Sequence, residues 1–185
     1  MDIINNDIAY TLVSEEEINE IVTRIASEID RDYANSDKKL LLLCILKGSV
    51  VFMGELMKKI TLPLEIDFMK VSSYGAGTVS TGRLNILLDL ARPDMADLDI
   101  VIVEDIIDSG KTLSYLVKYL KLKGANSVRT ATLLDKKSRR EVDFTPDYIG
   151  RDIPDEFVVG FGLDYDEKFR NLPYVGVLKR SVYSN

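Results

Sequence analysis

The 185-residue sequence contains no histidine. That absence removes Ser-His-Asp and Cys-His nucleophile systems, and histidine-based metal sites with them. Cysteine is nearly missing as well: Cys44 stands alone inside the apolar run LLLLCIL. A disulfide framework is therefore excluded, and a reduced, cytoplasmic setting is expected. There is no surplus of positive charge. With 24 Lys and Arg against 30 Asp and Glu, the net charge is −6, which offers no general electrostatic footprint for nucleic acid. No apolar run approaches the roughly 18 residues of a membrane span. The first stretch, MDIINNDIAYTL, also lacks the basic-then-apolar layout of a signal peptide. Neither a membrane nor nucleic acid is an expected partner.

What remains is an ordinary globular composition, 46% apolar and 29% charged. A chain of this length buries about 70% of its unfolded surface in one core. No repeat, low-complexity tract or linker divides it, so residues 1–185 are read as one domain. Ser14 and Glu17 have the spacing of a capping box, and Val13 with Ile18 that of a hydrophobic staple. Ile18, Ile21, Val22, Ile25 and Ile29 then recur at helical period, predicting a helix over 14–34. The run 40–46 is too short and too apolar for anything but a buried strand, and a helix follows at 50–60. Further strands are expected at 64–72, 83–89, 100–103, 128–134, 157–161 and 174–178, with a helix over 110–123 ended by Gly124. SSYGAGTVSTG, from Ser72, has almost nothing to bury and reads as a mobile loop. Strands alternating with helices predict an α/β fold with a doubly wound, mainly parallel sheet, and ligands outside the carboxyl ends of its strands.

One stretch concentrates the chemistry. IVIVEDIIDSGKT, from Ile100, begins as a buried strand and then places Glu104, Asp105 and Asp108 directly before Ser109, Gly110, Lys111 and Thr112. A turn that opens a helix presents unpaired backbone N–H groups, which bind phosphate. The GKT ending invites a P-loop reading, but that motif needs glycine where Asp105 stands, so it is rejected. SGKT alone is better read as a serine-capped helix start with a glycine turn. The carboxylates decide between the two. Buried acids need partners; a ribose supplies two hydroxyl donors, and Mg²⁺ supplies charge. The fragment therefore holds parts for each section of a ribose 5-phosphate.

VIVEDIIDSGKTL closely resembles the phosphoribosyl pyrophosphate (PRPP) motif of the hypoxanthine-guanine phosphoribosyltransferases. LCILKGSVVF resembles that family's pyrophosphate loop, SSYGAGTVSTG its flexible catalytic loop, and LLDKKSRR its purine O6-contact segment. PDYIGRDIPDEFVVGFGLDYDEKFRNLPYVGVL resembles its purine-binding and C-terminal portion, in the same order along nearly the whole chain. Ser109 departs from the commoner threonine but keeps the hydroxyl. The resemblance implies a type I phosphoribosyltransferase fold with a small hood, acting on PRPP, hypoxanthine and guanine with Mg²⁺, as a homodimer or homotetramer. It implies that Glu104 and Asp105 hold the ribose hydroxyls directly or through Mg²⁺, and that Asp108 handles the proton at purine N7. Ser109 to Thr112 would cradle the 5′-phosphate. Lys47 and Gly48 would bind pyrophosphate through backbone N–H groups, beside a strained Leu46–Lys47 peptide. Lys136 would donate to O6, Phe157 would stack on the base, and the Val158 backbone would complete its recognition. Asp164 would engage a second Mg²⁺ through water, Arg170 would contact pyrophosphate, and Ser73 and Tyr74 would lead the loop over the reacting centre.

Taken one at a time, several of these residues have plainer readings. A lysine in DKKSRR is usually a solvated charge, the aromatic opening FVVGF is usually core, and Lys47-Gly48 is an ordinary strand-to-helix turn. Two rival functions also stand at this point. A regulator that binds PRPP or nucleotide and controls RNA should show a basic face, and only the short run 136–140 offers one. An enzyme of the same fold using adenine or a pyrimidine is opposed by Lys136 and Phe157 in their matching segments.

Overall fold

The computed structural model describes residues 5–73 and 84–184. Tyr74 and most of the glycine-rich loop lie outside the described residues, as does the side chain of Ser73. In chain order the elements are β1 (Ile8–Val13), α1 (Glu15–Tyr33), β2 (Lys39–Leu46), α2 (Val50–Met57), β3 (Leu64–Ser73) and β4 (Leu84–Leu88). They continue as β5 (Leu98–Ile107), α3 (Lys111–Leu122), β6 (Ser127–Asp135), β7 (Tyr148–Asp152), β8 (Val158–Val159), β9 (Val175–Leu178) and α4 (Arg180–Tyr183).

The capping box at the start of α1 forms as the spacing predicts. The Ser14 hydroxyl accepts from the Glu17 N–H at 3.2 Å, and the Glu17 carboxylate accepts from the Ser14 N–H at 2.9 Å. Ile18, Val22, Ile25 and Ile29 are buried on the sheet-facing stripe. On β2 the two faces divide the apolar run between two cores. Leu40, Leu42 and Cys44 pack with α1 and α2, while Leu41, Leu43 and Ile45 pack with α3. A strand buried on both faces reads as an unbroken apolar run for this reason.

The main sheet has the order β4-β3-β2-β5-β6-β7, parallel throughout except for the edge strand β4, which pairs antiparallel with β3. From β2 the chain builds outward through β3 and β4, then returns to the other side of β2 with β5. The order therefore reverses between β2 and β5, the switch point where α/β sheets open a crevice at their carboxyl ends. A second, antiparallel sheet β1-β9-β8 forms the small hood, packed on Ile8, Val159, Phe169, Leu172 and Leu178.

Three expectations need correction. The strand expected at 157–161 is reduced to Val158–Val159, and it belongs to the hood, where Val158 pairs with Val177. Left-handed backbone at Gly160 (φ 97°), Phe161 (φ 48°) and Gly162 (φ 100°) stops it there. The edge of the main sheet is instead β7, whose sequence YIGRD hides its role behind a glycine and two charges. Gly150 is required because a Cβ at that position would lie 2.1 Å from the Leu133 carbonyl oxygen and 2.8 Å from Ile21. Finally, β5 does not end at Val103. It runs on through Ile107, paired with β6 at Glu104↔Thr132, Ile106↔Leu134 and Ile107↔Asp135. The acids thus sit on the strand itself rather than after it.

Candidate active site

The carboxyl ends of β2 and β5 approach each other more closely than side chains normally allow. A Cβ built on Gly48 would lie 1.7 Å from Asp105 Oδ2. Asp105 in turn donates its backbone N–H to the Ser49 hydroxyl at 3.2 Å, and its Oδ1 accepts from the Ile106 N–H at 2.7 Å. On the other side of the loop a Cβ on Gly162 would lie 2.0 Å from the Gly48 carbonyl oxygen. Gly48 is thus held between Asp105 and Gly162, directly after a Leu46–Lys47 peptide that is cis.

Glu104 and Asp105 are poor in positive charge. Glu104 Oε2 is buried with no hydrogen-bond partner. Burial, and then the charge of Asp105, raise the Glu104 carboxyl well above the usual carboxylate range. Burial likewise pushes Asp105 up to about 6, against the opposing pull of the Ile106 N–H. Hard oxygen donors, one of them orphaned, fit a divalent cation or the hydroxyls of a sugar. Among the described residues no three potential ligands converge. A cation here would complete its shell with ligand oxygens and water.

Glu104 opens into a cavity of ≈ 210 Å³ lined also by Ile106, Ile107, Asp108, Ser109, Gly110, Thr112 and Leu113. Its floor is the start of α3. Gly110 is the N-cap, in left-handed backbone (φ 79°), and no side chain caps the helix. The Ser109 hydroxyl reaches only the Lys111 N–H, at 3.4 Å, so the serine-capped helix start expected of SGKT alone does not form. With only that long contact at Lys111, the first N–H groups of α3 are left open to a ligand. Three successive carbonyls behind this turn are occupied by the next segment. Ile107 accepts from the Lys136 N–H and Ser109 from the Glu141 N–H, both at 3.0 Å. Asp108 accepts from the Arg140 guanidinium, which also holds the buried Asp135 carboxylate. The Lys111 side chain turns away to Glu141.

Lys136 is buried, with its ammonium 3.9 Å from Asp108 Oδ1 and 4.0 Å from Asp155 Oδ1. It is not the solvated charge that its neighbours in DKKSRR imply. Phe157 is 38% exposed, so it is not core; its ring stacks on Tyr183 and meets the edge of Tyr165. Val158 is buried in β8. Arg170 donates to the Gly162 carbonyl at 2.8 Å and pairs with Asp164 at 2.8 Å and Glu167 at 3.2 Å. Glu167 also accepts from Lys47 at 3.0 Å.

The expected residues therefore fall into connected groups: Gly48 with Asp105, Glu104 with the turn at 108–112, Lys136 with Asp108, and Lys47 with Arg170 through Glu167. Ser49, Arg140, Asp155, Gly162 and Glu167 were not anticipated. The charged ones sit in runs that read as solvated surface. Gly162 carried a signal, since a glycine two residues after Gly160 marks backbone that other residues adopt at a cost.

Known proteins match the chain over nearly its whole length. The phosphoribosyl transferase domain model matches residues 11–166. The hypoxanthine-guanine phosphoribosyltransferase of Streptococcus thermophilus is 50% identical over 98% of this chain and 99% of its own length. That of Streptococcus agalactiae is 51% identical over the same shares. A crystal structure of a hypoxanthine phosphoribosyltransferase from Staphylococcus aureus superposes with a TM-score of 0.93 at 46% identity, covering 100% of this chain and 98% of that one. With matches of this extent, the chain belongs to the phosphoribosyltransferase family and groups within it with the hypoxanthine-guanine enzymes.

Proposed function

We propose that the protein transfers the 5-phosphoribosyl group of PRPP to hypoxanthine or guanine, giving IMP or GMP and pyrophosphate. The observation that carries this reading is the cavity where a buried, partnerless Glu104 oxygen meets the uncapped start of α3. One end suits a sugar hydroxyl or cation, and the other suits a phosphate.

In this reading the 5′-phosphate rests on the N–H groups of Ser109 to Thr112, and the ribose lies against Glu104 and Asp105. One Mg²⁺ held by Glu104 and Asp105, and a second engaged through water by Asp164, would supply positive charge to the ribose hydroxyls and the leaving group. Lys47 and Gly48 meet the pyrophosphate through their backbone N–H groups, with Arg170 beside them. As the C1′–O bond breaks, negative charge grows on that group and positive charge on the ribose ring, which the flanking carboxylates tolerate. Lys136 and Asp108 face the O6 and N7 edge of the base: the ammonium donates to O6, and the Asp108 carboxylate accepts the proton released at N7. Phe157 stacks on the base and the Val158 backbone adds to its recognition. Ser73 and Tyr74 lead the loop that excludes water. A single cytoplasmic domain, assembled as a homodimer or homotetramer, completes the proposal; no described helix is long and apolar enough to cross a membrane.

The test is a base screen with PRPP and Mg²⁺, following nucleotide formation in the wild type and in Lys136→Gln. A lysine ammonium has three donors and no acceptor. It satisfies a 6-oxo group and opposes the 6-amino group of adenine, a mismatch that can discriminate by roughly 10⁴-fold. Hypoxanthine and guanine are expected to react well and adenine barely, and Lys136→Gln should weaken the first two and narrow that gap. Identical kcat/KM values for all three bases in both proteins would return Lys136 to a structural role.

Arg140→Met should behave differently. It leaves the buried Asp135 carboxylate unpaired and frees the Asp108 carbonyl, so it should cost about 3 kcal/mol of stability in chemical denaturation. The phosphate turn loses its support, so kcat/KM should fall for every base without a change in preference. A change in preference instead would place Arg140 at the base.

A further inference from the structure

One charged residue beside the proposed pyrophosphate site has no part in the reaction as described. Glu167 lies in the hood turn with left-handed backbone (φ 62°), and its N–H donates to Asp164 Oδ2 at 2.9 Å. Its two carboxylate oxygens go to different cations. Oε1 accepts from Lys47 Nζ at 3.0 Å, and Oε2 accepts from Arg170 at 3.2 Å. Lys47 belongs to the loop after β2 and Arg170 to the hood, so one carboxylate bridges two separate walls of the site. This is the way a phosphate group is usually held, with each oxygen on its own donor. The same two cations draw the Glu167 carboxyl below its ordinary range, Lys47 foremost.

We propose that Glu167 is a displaceable stand-in for pyrophosphate. It occupies Lys47 and Arg170 in the absence of ligand, yields them to the pyrophosphoryl group of arriving PRPP, and takes them back as product pyrophosphate leaves. The inference rests on the assignment of Arg170 and the Lys47 backbone to pyrophosphate, and adds the Lys47 ammonium as a further donor to the same group.

The magnitudes suit such an exchange. Both partners of the Lys47–Glu167 pair are more than half exposed, and pairs of that kind are worth little. A single carboxylate therefore gives way readily to a pyrophosphate, which brings several charges and more acceptor oxygens. Glu167 also offsets the charges of Lys47 and Arg170, the latter held besides by Asp164 and the Gly162 carbonyl, each at 2.8 Å, so the cations remain in place for the next substrate. On departure it competes for the same donors and speeds a step that often limits turnover. A competitor of this strength should weaken pyrophosphate by about 2- to 5-fold, the range set by an exposed ion pair.

The experiment measures binding of inorganic pyrophosphate with Mg²⁺ by calorimetry to the wild type, Glu167→Gln, Glu167→Ala and Arg170→Ala. Steady-state KM values for PRPP and hypoxanthine are measured alongside. Both Glu167 variants should bind pyrophosphate about 2- to 5-fold more tightly and lower the KM for PRPP by a similar factor. The KM for hypoxanthine should not move. Arg170→Ala should weaken pyrophosphate binding. Unchanged or weaker pyrophosphate binding in the Glu167 variants, with Arg170→Ala still defective, overturns the stand-in and leaves the site assignment intact. Wild-type pyrophosphate binding in Arg170→Ala overturns the assignment and, with it, the stand-in.

Discussion

Gly48→Ala is expected to lower kcat/KM for PRPP by about 100-fold or more, the scale on which a 1 Å misplacement acts in a preorganised site. The added methyl has nowhere to go. It would stand 1.7 Å from Asp105 Oδ2 and 2.8 Å from Asp105 Cγ. Asp105 is a short side chain on a buried strand, tied at its N–H to Ser49 and at Oδ1 to the Ile106 N–H. The loop cannot retreat freely either, because the Gly48 carbonyl already lies against Gly162. Either the carboxylate leaves its place beside Glu104 or the Lys47-Gly48 backbone leaves the proposed pyrophosphate position. Overpacking of this kind also costs roughly 1–3 kcal/mol of stability. Steady-state kinetics on protein shown to be folded by circular dichroism separates the two effects. A variant within a few-fold of wild type would mean that the contact between β2 and β5 does not organise the site.

Asp108→Asn is expected to reduce kcat by about 10- to 1,000-fold on hypoxanthine and guanine, since general base catalysis contributes on that scale. Affinity for PRPP should change only modestly. The substitution removes the charge and the proton acceptor while leaving the shape. It also leaves the Asp108 carbonyl, which the Arg140 guanidinium holds from behind, so the turn over α3 should persist. The Asp108 carboxylate is half exposed and stands 3.9 Å from the Lys136 ammonium, a separation suited to two groups addressing adjacent atoms on one edge of a purine. Single-turnover measurements with PRPP at saturation test this directly. Retention of wild-type kcat would remove Asp108 from the proton-transfer step.

The two variants differ in how visible their targets are before folding. Asp108 announces itself: an acid next to SGKT, just beyond IVIV, is chemically conspicuous without coordinates. Gly48 in LKGSV is indistinguishable from a turn glycine until Asp105, 57 residues later in the chain, is brought against it. The same contrast applies to Lys136 and Arg140. Both lie in DKKSRR, a run whose composition reads as solvated, yet Lys136 is buried between Asp108 and Asp155, and Arg140 is half-buried on the buried Asp135.

Local pattern by itself determined α1, its capping box, the buried β2, the turn that opens α3 and the class of the fold. Each depends on periodicities and unpaired backbone groups that operate within one or two turns of chain. The resemblance of five segments, in order, added the family and the expected role of each site residue. The tertiary structure alone decided that Phe157–Val158 belongs to the hood and β7 to the sheet edge, because strand partnership is a long-range choice that a two-residue strand or YIGRD cannot encode locally. It also decided that β5 carries Glu104 and Asp105 on its final turn-ward residues, where burial raises both carboxyls. Lastly, it placed Glu167 across Lys47 and Arg170. Charges separated by 120 positions become partners only when the segment after β8 folds back against the loop after β2.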